Sequence, residues 1–228
     1  MEQKDLLYKN NDYEIYIFQN KKMNNYTNDS LLLFNFIKIN KKMHNILDLC
    51  SGNGPIPLLL STITNEPILA IELQHDNVLL AQKSIKYNKL ENQINIIEDN
   101  VININKKIGQ NKYDLICANP PYYNYHNNAN ISPNHALCLA RHEKELTFEN
   151  LIKEVKTLLS NKGKFVFIHI TERFNEILNI LNEYNLYISR IQFIYNKKNK
   201  NSYRMLIEVC KNKNVKTIIL PPLFRSEE

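Results

Sequence analysis

Strand and helix patterns alternate along most of the chain, and this alternation restricts the fold more than any other feature. Short apolar runs typical of buried strands occupy residues 45–50, 68–73, 94–97, 113–118 and 164–170. Helical patterns at 55–63, 75–88 and 147–160 lie among these runs. Strands that alternate with helices form βαβ units, so we expect an α/β fold with a mostly parallel sheet covered by helices on both faces.

The two ends of the chain add to this core. Strand patterns at 187–195 and 204–210 are joined only by a Lys/Asn-rich stretch, so they predict a hairpin with one antiparallel strand near the sheet edge. A helix capped by Asn28 or Asp29 is expected before the first core strand. With no long linker, we predict one domain over 1–228, an N-terminal extension at 1–40 followed by the core at 41–228.

Glycine placement predicts a ligand site after the first strand. The chain has four glycines, and two of them, Gly52 and Gly54, fall in "DLCSGNGPIP". A strand, a tight glycine turn and a helix N-terminus form a common binding site for nucleotide-like ligands. The third glycine of a dinucleotide loop is absent, and so is the Gly-Lys-Ser/Thr ending of a P-loop, so both classes are disfavoured.

Polar residues at three consecutive strand ends indicate which ligand this loop would hold. Asp48 precedes the glycine turn, and Glu72 ends the second strand, where a carboxylate can accept hydrogen bonds from both ribose hydroxyls. An acidic site suits a cationic ligand such as S-adenosylmethionine, which carries a sulfonium and an ammonium group. Asp99 and Asn100 follow the third strand and can contact an adenine ring.

The run "NPPYY" after the fourth strand predicts the reactive part of the site. Pro120 and Pro121 restrict the backbone, so the Asn119 side chain and the Pro120 carbonyl become two fixed acceptors. Two acceptors match an amino group with two N–H donors, and Tyr122 offers a face for stacking a planar group. The pattern favours in-line methyl transfer to an aromatic amine, driven by positioning, with no metal and no covalent enzyme intermediate.

Composition indicates the partner and the compartment. The net charge of +6 and the pI of about 9.0 favour an acidic partner, and nucleic acid is the first candidate. AT-rich coding, which raises the lysine content, explains the charge about equally well. The four cysteines form no Cys-x-x-Cys pair, so we expect no metal site and a reducing cytoplasm. The polar N-terminus and the lack of long apolar runs predict no signal peptide and no membrane association.

Taken together, "DLCSGNG", "IELQ" and "NPPYY" resemble the class I S-adenosylmethionine-dependent methyltransferases that carry the Asn-Pro-Pro-Tyr signature. With "YTNDSLLL", "ARHE" and "LPPLF", nearly the whole chain is similar to the bacterial valine-tRNA adenine-N(6) methyltransferase family. The resemblance implies a Rossmann-like, seven-stranded sheet and methylation of the adenine just 3′ of the anticodon, position 37. It implies cofactor contacts at Thr27, Asp29, Asp48, Gly52, Gly54, Glu72, Leu73, Asp99, Asn100 and Asn119, and catalytic roles at Asn119, Pro120, Pro121 and Tyr122.

Basic residues are the candidate contacts to tRNA. They are Arg141 in "ARHE", Lys197 and Lys198 in the hairpin loop, and Arg204, with Tyr122 stacking on the target base. For the lysines a solvated surface is the more common role. One departure from the family is Asn100, where an Asp is usual, and we expect weaker or shifted cofactor binding there.

Three other functions share parts of this pattern. The same signature serves adenine methylation in rRNA or DNA, and glutamine-N(5) methylation of release factors. The glutamine enzymes usually carry an N-terminal helical domain, and the short stretch before the first core strand disfavours them. A non-enzymatic RNA-binding scaffold is disfavoured because Asn119, Gly52 and Gly54 are all retained. No obligate protein partner is inferred.

Overall fold

A computed structural model describes residues 2–20, 28–122, 146–196 and 200–224. The strands are β1 (Glu2–Lys9), β2 (Glu14–Asn20), β3 (Ile46–Leu49), β4 (Ile68–Glu72), β5 (Ile94–Glu98), β6 (Tyr113–Ala118), β7 (Leu159–Ile170), β8 (Tyr187–Tyr195), β9 (Ser202–Cys210), β10 (Ile218–Ile219) and β11 (Leu223–Phe224). The helices are α1 (Asn28–Phe36), α2 (Pro55–Leu60), α3 (His75–Tyr87), α4 (Asn105–Ile108), α5 (Phe148–Leu158) and α6 (Phe174–Glu183). The 3-10 turn Thr171–Arg173 precedes α6.

The central sheet confirms the predicted α/β architecture. Its order is β10-β8-β9-β7-β6-β3-β4-β5, and the chain reverses direction across the sheet between β3 and β6. The pairs β3–β4, β3–β6, β4–β5 and β6–β7 are parallel, whereas β9 runs antiparallel to both β7 and β8. The predicted C-terminal hairpin therefore exists, and two short strands, β10 and β11, extend the sheet along β8.

Helices bury apolar side chains on both faces of this sheet. On one face α1, α2 and α3 pack against Ile46 and Ile68, and on the other α5 and α6 pack against Leu47 and Leu49. Successive residues of β3 point to opposite faces, so its run of four buried residues is the pattern of a strand covered twice. Each such side chain contributes about 1.5–3 kcal/mol when fully buried.

The N-terminal strands form a separate antiparallel hairpin that rests on α3. The backbone N–H of Phe18 donates to the Ser84 hydroxyl at 2.9 Å, and that of Tyr16 donates to Asn88 Oδ1 at 2.9 Å. The Lys4 ammonium lies 4.5 Å from the centre of the Tyr87 ring. The strand β2, with the sequence "EIYIFQN", thus connects the N-terminal segment to the core through α3.

Gly163 has a different role from the one its position after a helical pattern suggests. The sequence predicts that this glycine ends the helix at 147–160, but α5 ends at Leu158 and β7 begins at the next residue. A Cβ at Gly163 would lie 2.7 Å from the Tyr113 carbonyl oxygen and 2.8 Å from a Leu159 methyl. Glycine is required here because β6 and β7 approach too closely for a side chain, beside a register shift in their pairing.

None of the described helices is long and apolar enough to span a membrane. Among the residues that the structure covers, no group of three or more His, Cys, Asp or Glu side chains is arranged to hold a metal ion.

Candidate functional site

The carboxyl ends of β3, β4 and β6 bring the predicted site residues to one edge of the sheet. Leu49 pairs with Ala118, so Cys50 and Asn119, the residues that follow them, leave adjacent strands at the same level. The Ser51 N–H donates to the Ile71 carbonyl at 3.0 Å, which joins the glycine loop to the end of β4. Asn119 therefore lies beside the glycine loop, as its place at the reversal point of the sheet predicts.

The two glycines of the loop are needed for different reasons. Both have positive φ, +57° at Gly52 and +84° at Gly54. A Cβ at Gly54 would lie 3.2 Å from the Ala81 Cβ on α3, whereas a Cβ at Gly52 would meet nothing within 4 Å. Gly54 thus allows close helix packing, and Gly52 leaves its backbone open to a ligand.

Cys50 is a loop residue that sequence reasoning missed. Its φ of 60° lies in the left-handed region, where a side chain other than glycine is unfavourable by about 1–2 kcal/mol. This loop therefore turns through three positive-φ residues, Cys50, Gly52 and Gly54. The spacing of the glycines does not predict the positive φ of Cys50.

Glu72 holds the glycine loop in place. Its Oε2 accepts the Gly52 N–H at 2.8 Å, and its Oε1 accepts the Gln74 N–H at 2.9 Å and an Asn77 amide N–H at 3.4 Å. The side chain is buried at the end of β4. A carboxylate has about four acceptor positions, so these bonds leave capacity for a ribose hydroxyl.

Asp48 is a fully buried carboxyl with an oxygen that has no partner. The Cys117 thiol donates to its Oδ1 at 3.4 Å, whereas Oδ2 accepts no hydrogen bond of good geometry among the described residues, although the Ser51 hydroxyl is near enough to favour the ionised form. Burial, reinforced by the negative charge of Glu72, raises the pKa of Asp48 to about 7. An unsatisfied buried carboxyl beside an open glycine turn fits a ligand that brings positive charge and N–H or O–H donors, as S-adenosylmethionine does.

This pKa gives a prediction about stability. Because the folded-state pKa of Asp48 is raised, its favourable contribution is complete at acidic pH and is lost as pH rises toward about 7. The asparagine of Asp48→Asn cannot ionise, so the variant does not lose stability in this way. The free energy of unfolding of the variant minus that of wild type should therefore increase by about 2–3 kcal/mol from about pH 5 to about pH 8. Urea unfolding of both proteins at the two pH values measures this difference.

The control for Asp48→Asn is Asp12→Asn at an exposed loop position. Its stability relative to wild type should not change with pH in the same way. A pH-independent difference for Asp48→Asn would mean that the buried carboxyl is ionised throughout.

Three residues predicted to contact the cofactor lie directly after β4 and β5, and two of them, Asp99 and Asn100, were predicted to contact its adenine ring. Asp99 accepts a hydrogen bond from Lys107 Nζ at 2.5 Å, which lowers the pKa of its carboxyl, and Asn100 Oδ1 accepts the Ile102 N–H at 2.8 Å. Leu73 is an apolar side chain left 38% exposed beside Glu72. All three residues lie at the carboxyl ends of β4 and β5, at the same sheet edge, and their roles toward a cofactor stay predictions.

Tyr122 is contacted by Asn119 and by residues of two distant elements, α1 and β9. Its hydroxyl lies 2.5 Å from Asn119 Oδ1 and 2.9 Å from Asp29 Oδ2, and both oxygens are acceptors for its one hydrogen. Arg204 Nε donates to the same Asp29 oxygen at 3.0 Å, and the guanidinium carbon lies 4.5 Å from the centre of the Tyr122 ring. Asp29 was predicted to contact the cofactor and Arg204 to contact RNA; both residues lie at the motif tyrosine.

Two further residues at Tyr122 were not found from the sequence. Arg173 Nη1 donates to the Tyr122 carbonyl at 2.9 Å. His169, fully buried near the end of β7, has its ring centre 5.3 Å from that of Tyr122, and burial together with the Arg173 charge lowers its pKa to about 3. A neutral imidazole therefore lies under the tyrosine. Its sequence signal was present, since His169 is the one polar residue in the run "FVFIHI".

Several predicted residues lie outside the described ranges. They are Thr27, Arg141, Lys197 and Lys198. Their expected contacts to cofactor or RNA stay predictions.

The sequence is similar to known methyltransferases over most of its length. The family model described as methyltransferase small domain matches residues 17–190. A protein of Aliivibrio salmonicida named tRNA1(Val) (adenine(37)-N6)-methyltransferase is 28% identical over 182 residues, covering 79% of this chain and 75% of the relative. Proteins of the same name from Bacteroides thetaiotaomicron and Pedobacter heparinus are 27% and 29% identical, each covering 72% of this chain and 68% of the relative. The resemblance that the motifs predict is confirmed by these relatives.

Solved structures agree on the fold. A predicted O-methyltransferase from Agrobacterium tumefaciens superposes with a TM-score of 0.65 at 16% identity, covering 86% of both chains. TrmN from Thermus thermophilus gives a TM-score of 0.58 at 15% identity, covering 80% of this chain and 48% of that one. At these identities the likeness concerns architecture alone, and it confirms the predicted Rossmann-like class.

Proposed function

Because the chain belongs to the methyltransferase small domain family, we propose that it transfers the methyl group of S-adenosylmethionine to the N6 amine of an adenine in tRNA. One observation carries this proposal: Asn119 leaves β6 beside the glycine loop, and the strand that leads into this loop, β3, carries an unsatisfied buried carboxyl, Asp48. A site for a cationic methyl donor and a site for an amine are thereby adjacent.

The chain's own residues divide the work on the donor side. Glu72 holds the Gly52 backbone and is placed to accept from a ribose, while Asp48 offers negative charge to a cation. Asp99, Asn100 and Leu73 would enclose an adenine ring at the same edge. S-adenosylmethionine supplies a methyl group on a positively charged sulfur.

The amine side consists of the Asn-Pro-Pro-Tyr loop. An aromatic amine is a poor nucleophile because its lone pair is delocalised into the ring. Hydrogen bonds to the Asn119 side-chain oxygen and the Pro120 carbonyl would orient its two N–H groups and direct the lone pair toward the donor. The attacking amine is neutral, so no general base has to remove a proton from it before the methyl transfer.

The choice of tRNA among nucleic acids comes from the relatives. Three of them carry the name tRNA1(Val) (adenine(37)-N6)-methyltransferase, and we extend that substrate, adenine 37 of valine tRNA, to this chain. The net charge of +6 agrees with a polyanionic substrate. A tRNA substrate would place the protein in the cytoplasm.

The proposal is tested by incubating the protein with radiolabelled S-adenosylmethionine and total bacterial tRNA, then mapping modified adenosines. We expect label in valine tRNA as N6-methyladenosine at position 37. Parallel reactions contain rRNA, duplex DNA and a release factor.

A matched substrate separates position from general adenine methylation. Valine tRNA transcribed with guanine at position 37 should accept no label. Transfer to rRNA, DNA or a release factor with none to tRNA would contradict the proposed substrate, and no transfer to any acceptor would contradict the proposed activity.

A further inference from the structure

Asn53, the residue between Gly52 and Gly54, joins the glycine loop to a distant part of the chain. It is only 4% exposed, and its side-chain Nδ2 donates to the Phe18 carbonyl at 3.0 Å. Phe18 lies in β2, 35 residues earlier in the chain. The glycine loop is therefore bound to the N-terminal hairpin, formed by β1 and β2, through a buried side-chain amide.

The N-terminal hairpin is itself fixed to the core, so it can serve as a support for the loop. The Phe18 N–H donates to the Ser84 hydroxyl on α3 at 2.9 Å. The Asn88 side chain accepts the Tyr16 N–H at 2.9 Å and donates to the Tyr16 carbonyl at 2.7 Å. Ile17 of β2 is fully buried in the same apolar core as α2 and α3. The hydrogen bond from Asn53 therefore joins the loop to a strand with several attachments of its own.

The glycine loop is thus held from two sides. On the side of β4, Glu72 accepts the Gly52 N–H, and on the side of the hairpin, Asn53 donates to Phe18. Between these attachments the backbone is strained, because Cys50 has a φ of 60° without being glycine. Such a turn persists only where surrounding contacts fix it. A loop that is ordered before its ligand arrives loses less conformational entropy on binding, so both attachments favour ligand affinity.

We propose that Asn53 is a positioning residue for the methyl donor, which keeps the glycine loop in its ligand-binding conformation by joining it to the N-terminal hairpin. This inference rests on the proposed function, which assigns S-adenosylmethionine to the loop. Asn53 acts through Phe18 and the loop backbone, and it needs no contact of its own with the donor. The hairpin of β1 and β2 thereby contributes to the cofactor site although it lies outside the central sheet.

Two substitutions of Asn53 separate this role from direct ligand binding. Calorimetric titration with the product S-adenosylhomocysteine at pH 8 should show Kd raised about 10-fold in Asn53→Ala, because the buried Phe18 carbonyl loses its donor. Asn53→Asp has nearly the same shape but places a second acceptor against that carbonyl, so it should bind at least as weakly as Asn53→Ala. At saturating S-adenosylmethionine, kcat of both variants should stay within about threefold of wild type.

Gln93→Ala is the matched control, because the Gln93 amide joins two backbone carbonyls at the opposite edge of the sheet. It donates to Thr64 at 2.6 Å and to Glu66 at 3.2 Å, before β4 and β5 begin. Its loss should lower the melting temperature about as much as Asn53→Ala does, yet leave Kd within about twofold of wild type. Wild-type affinity in Asn53→Ala would overturn the inference. Wild-type affinity in Asn53→Asp alone would make the Asn53 oxygen a direct ligand contact and overturn it likewise.

The contact between loop and hairpin also has a test that needs neither activity nor ligand. A hydrogen bond moves the 13C signal of a carbonyl downfield, so in NMR spectra of the free protein the Phe18 carbonyl signal should move upfield in Asn53→Ala. The same signal should stay in place in Gln93→Ala. An unmoved signal in Asn53→Ala would overturn the inference even if wild type methylates tRNA. If wild type does not bind S-adenosylhomocysteine, the proposed function fails, whereas the Phe18 signal still decides whether Asn53 holds the loop.

Discussion

Asn119→Ala should lower kcat for tRNA methylation by about 10²–10³-fold while leaving S-adenosylmethionine affinity within about threefold of wild type. The loss corresponds to about 3–4 kcal/mol of transition-state stabilisation. The reason is that Asn119 lies at the end of β6, where it supplies one of two acceptors for the amine, whereas Glu72 and Asp48 on the donor side are untouched. Single-turnover rates give the chemical step, and calorimetric titration with S-adenosylmethionine gives the affinity.

Asn65→Ala is the matched control for this variant. Asn65 is exposed on the loop between α2 and β4, at the opposite edge of the sheet, so its removal should change neither quantity. If Asn119→Ala lost cofactor affinity as completely as activity, Asn119 would belong to the donor site and its assignment to the target amine would be wrong.

Glu72→Ala should show the reverse order, with S-adenosylmethionine affinity weakened by about 10–100-fold before any effect on the chemical step. The carboxylate accepts the Gly52 and Gln74 N–H groups, so its loss leaves two backbone donors unsatisfied in addition to the expected ribose contact. Hydrogen bonds to a charged group are each worth about 1.5–3 kcal/mol, and this sets the size of the effect. The rate at saturating cofactor should fall much less than the affinity.

Glu72→Gln and Glu91→Ala complete this experiment. A glutamine at position 72 can still accept from Gly52, but its NH2 would face the Gln74 N–H, so its affinity should lie between those of wild type and Glu72→Ala. Glu91 is exposed in the turn before β5, and Glu91→Ala should bind the cofactor as wild type does. Unchanged affinity in Glu72→Ala would remove Glu72 from the cofactor site and leave it a purely structural support of the loop.

The sequence was sufficient for the sheet and for the order of its parts. Strands that are buried on both faces of a parallel sheet are continuous apolar runs. Such runs predicted strands at 46–49, 68–72, 94–98 and 113–118, and all four form strands in the structure. The glycine pair and Asn119 were placed at the reversal point because parallel strands must end at the same edge. The helix stop assigned to Gly163 failed because a glycine after a helix looks the same whether it ends the helix or admits a neighbouring strand.

The sequence by itself determined the features that depend on residues adjacent in the chain, namely the strand ends, the turns and the rigid Asn-Pro-Pro corner. Only the tertiary structure decided which residues meet Tyr122, since Asp29 and Arg204 reach it from 93 and 82 residues away and His169 from the adjacent strand β7. The physical reason is that hydrophobic periodicity and turn residues reflect the backbone preferences of neighbouring residues. A hydrogen-bonded charge pair instead forms where folding buries two distant residues together. Burial depends on how the sheet brings distant segments together, and that arrangement brings these residues to Tyr122 beside Asn119.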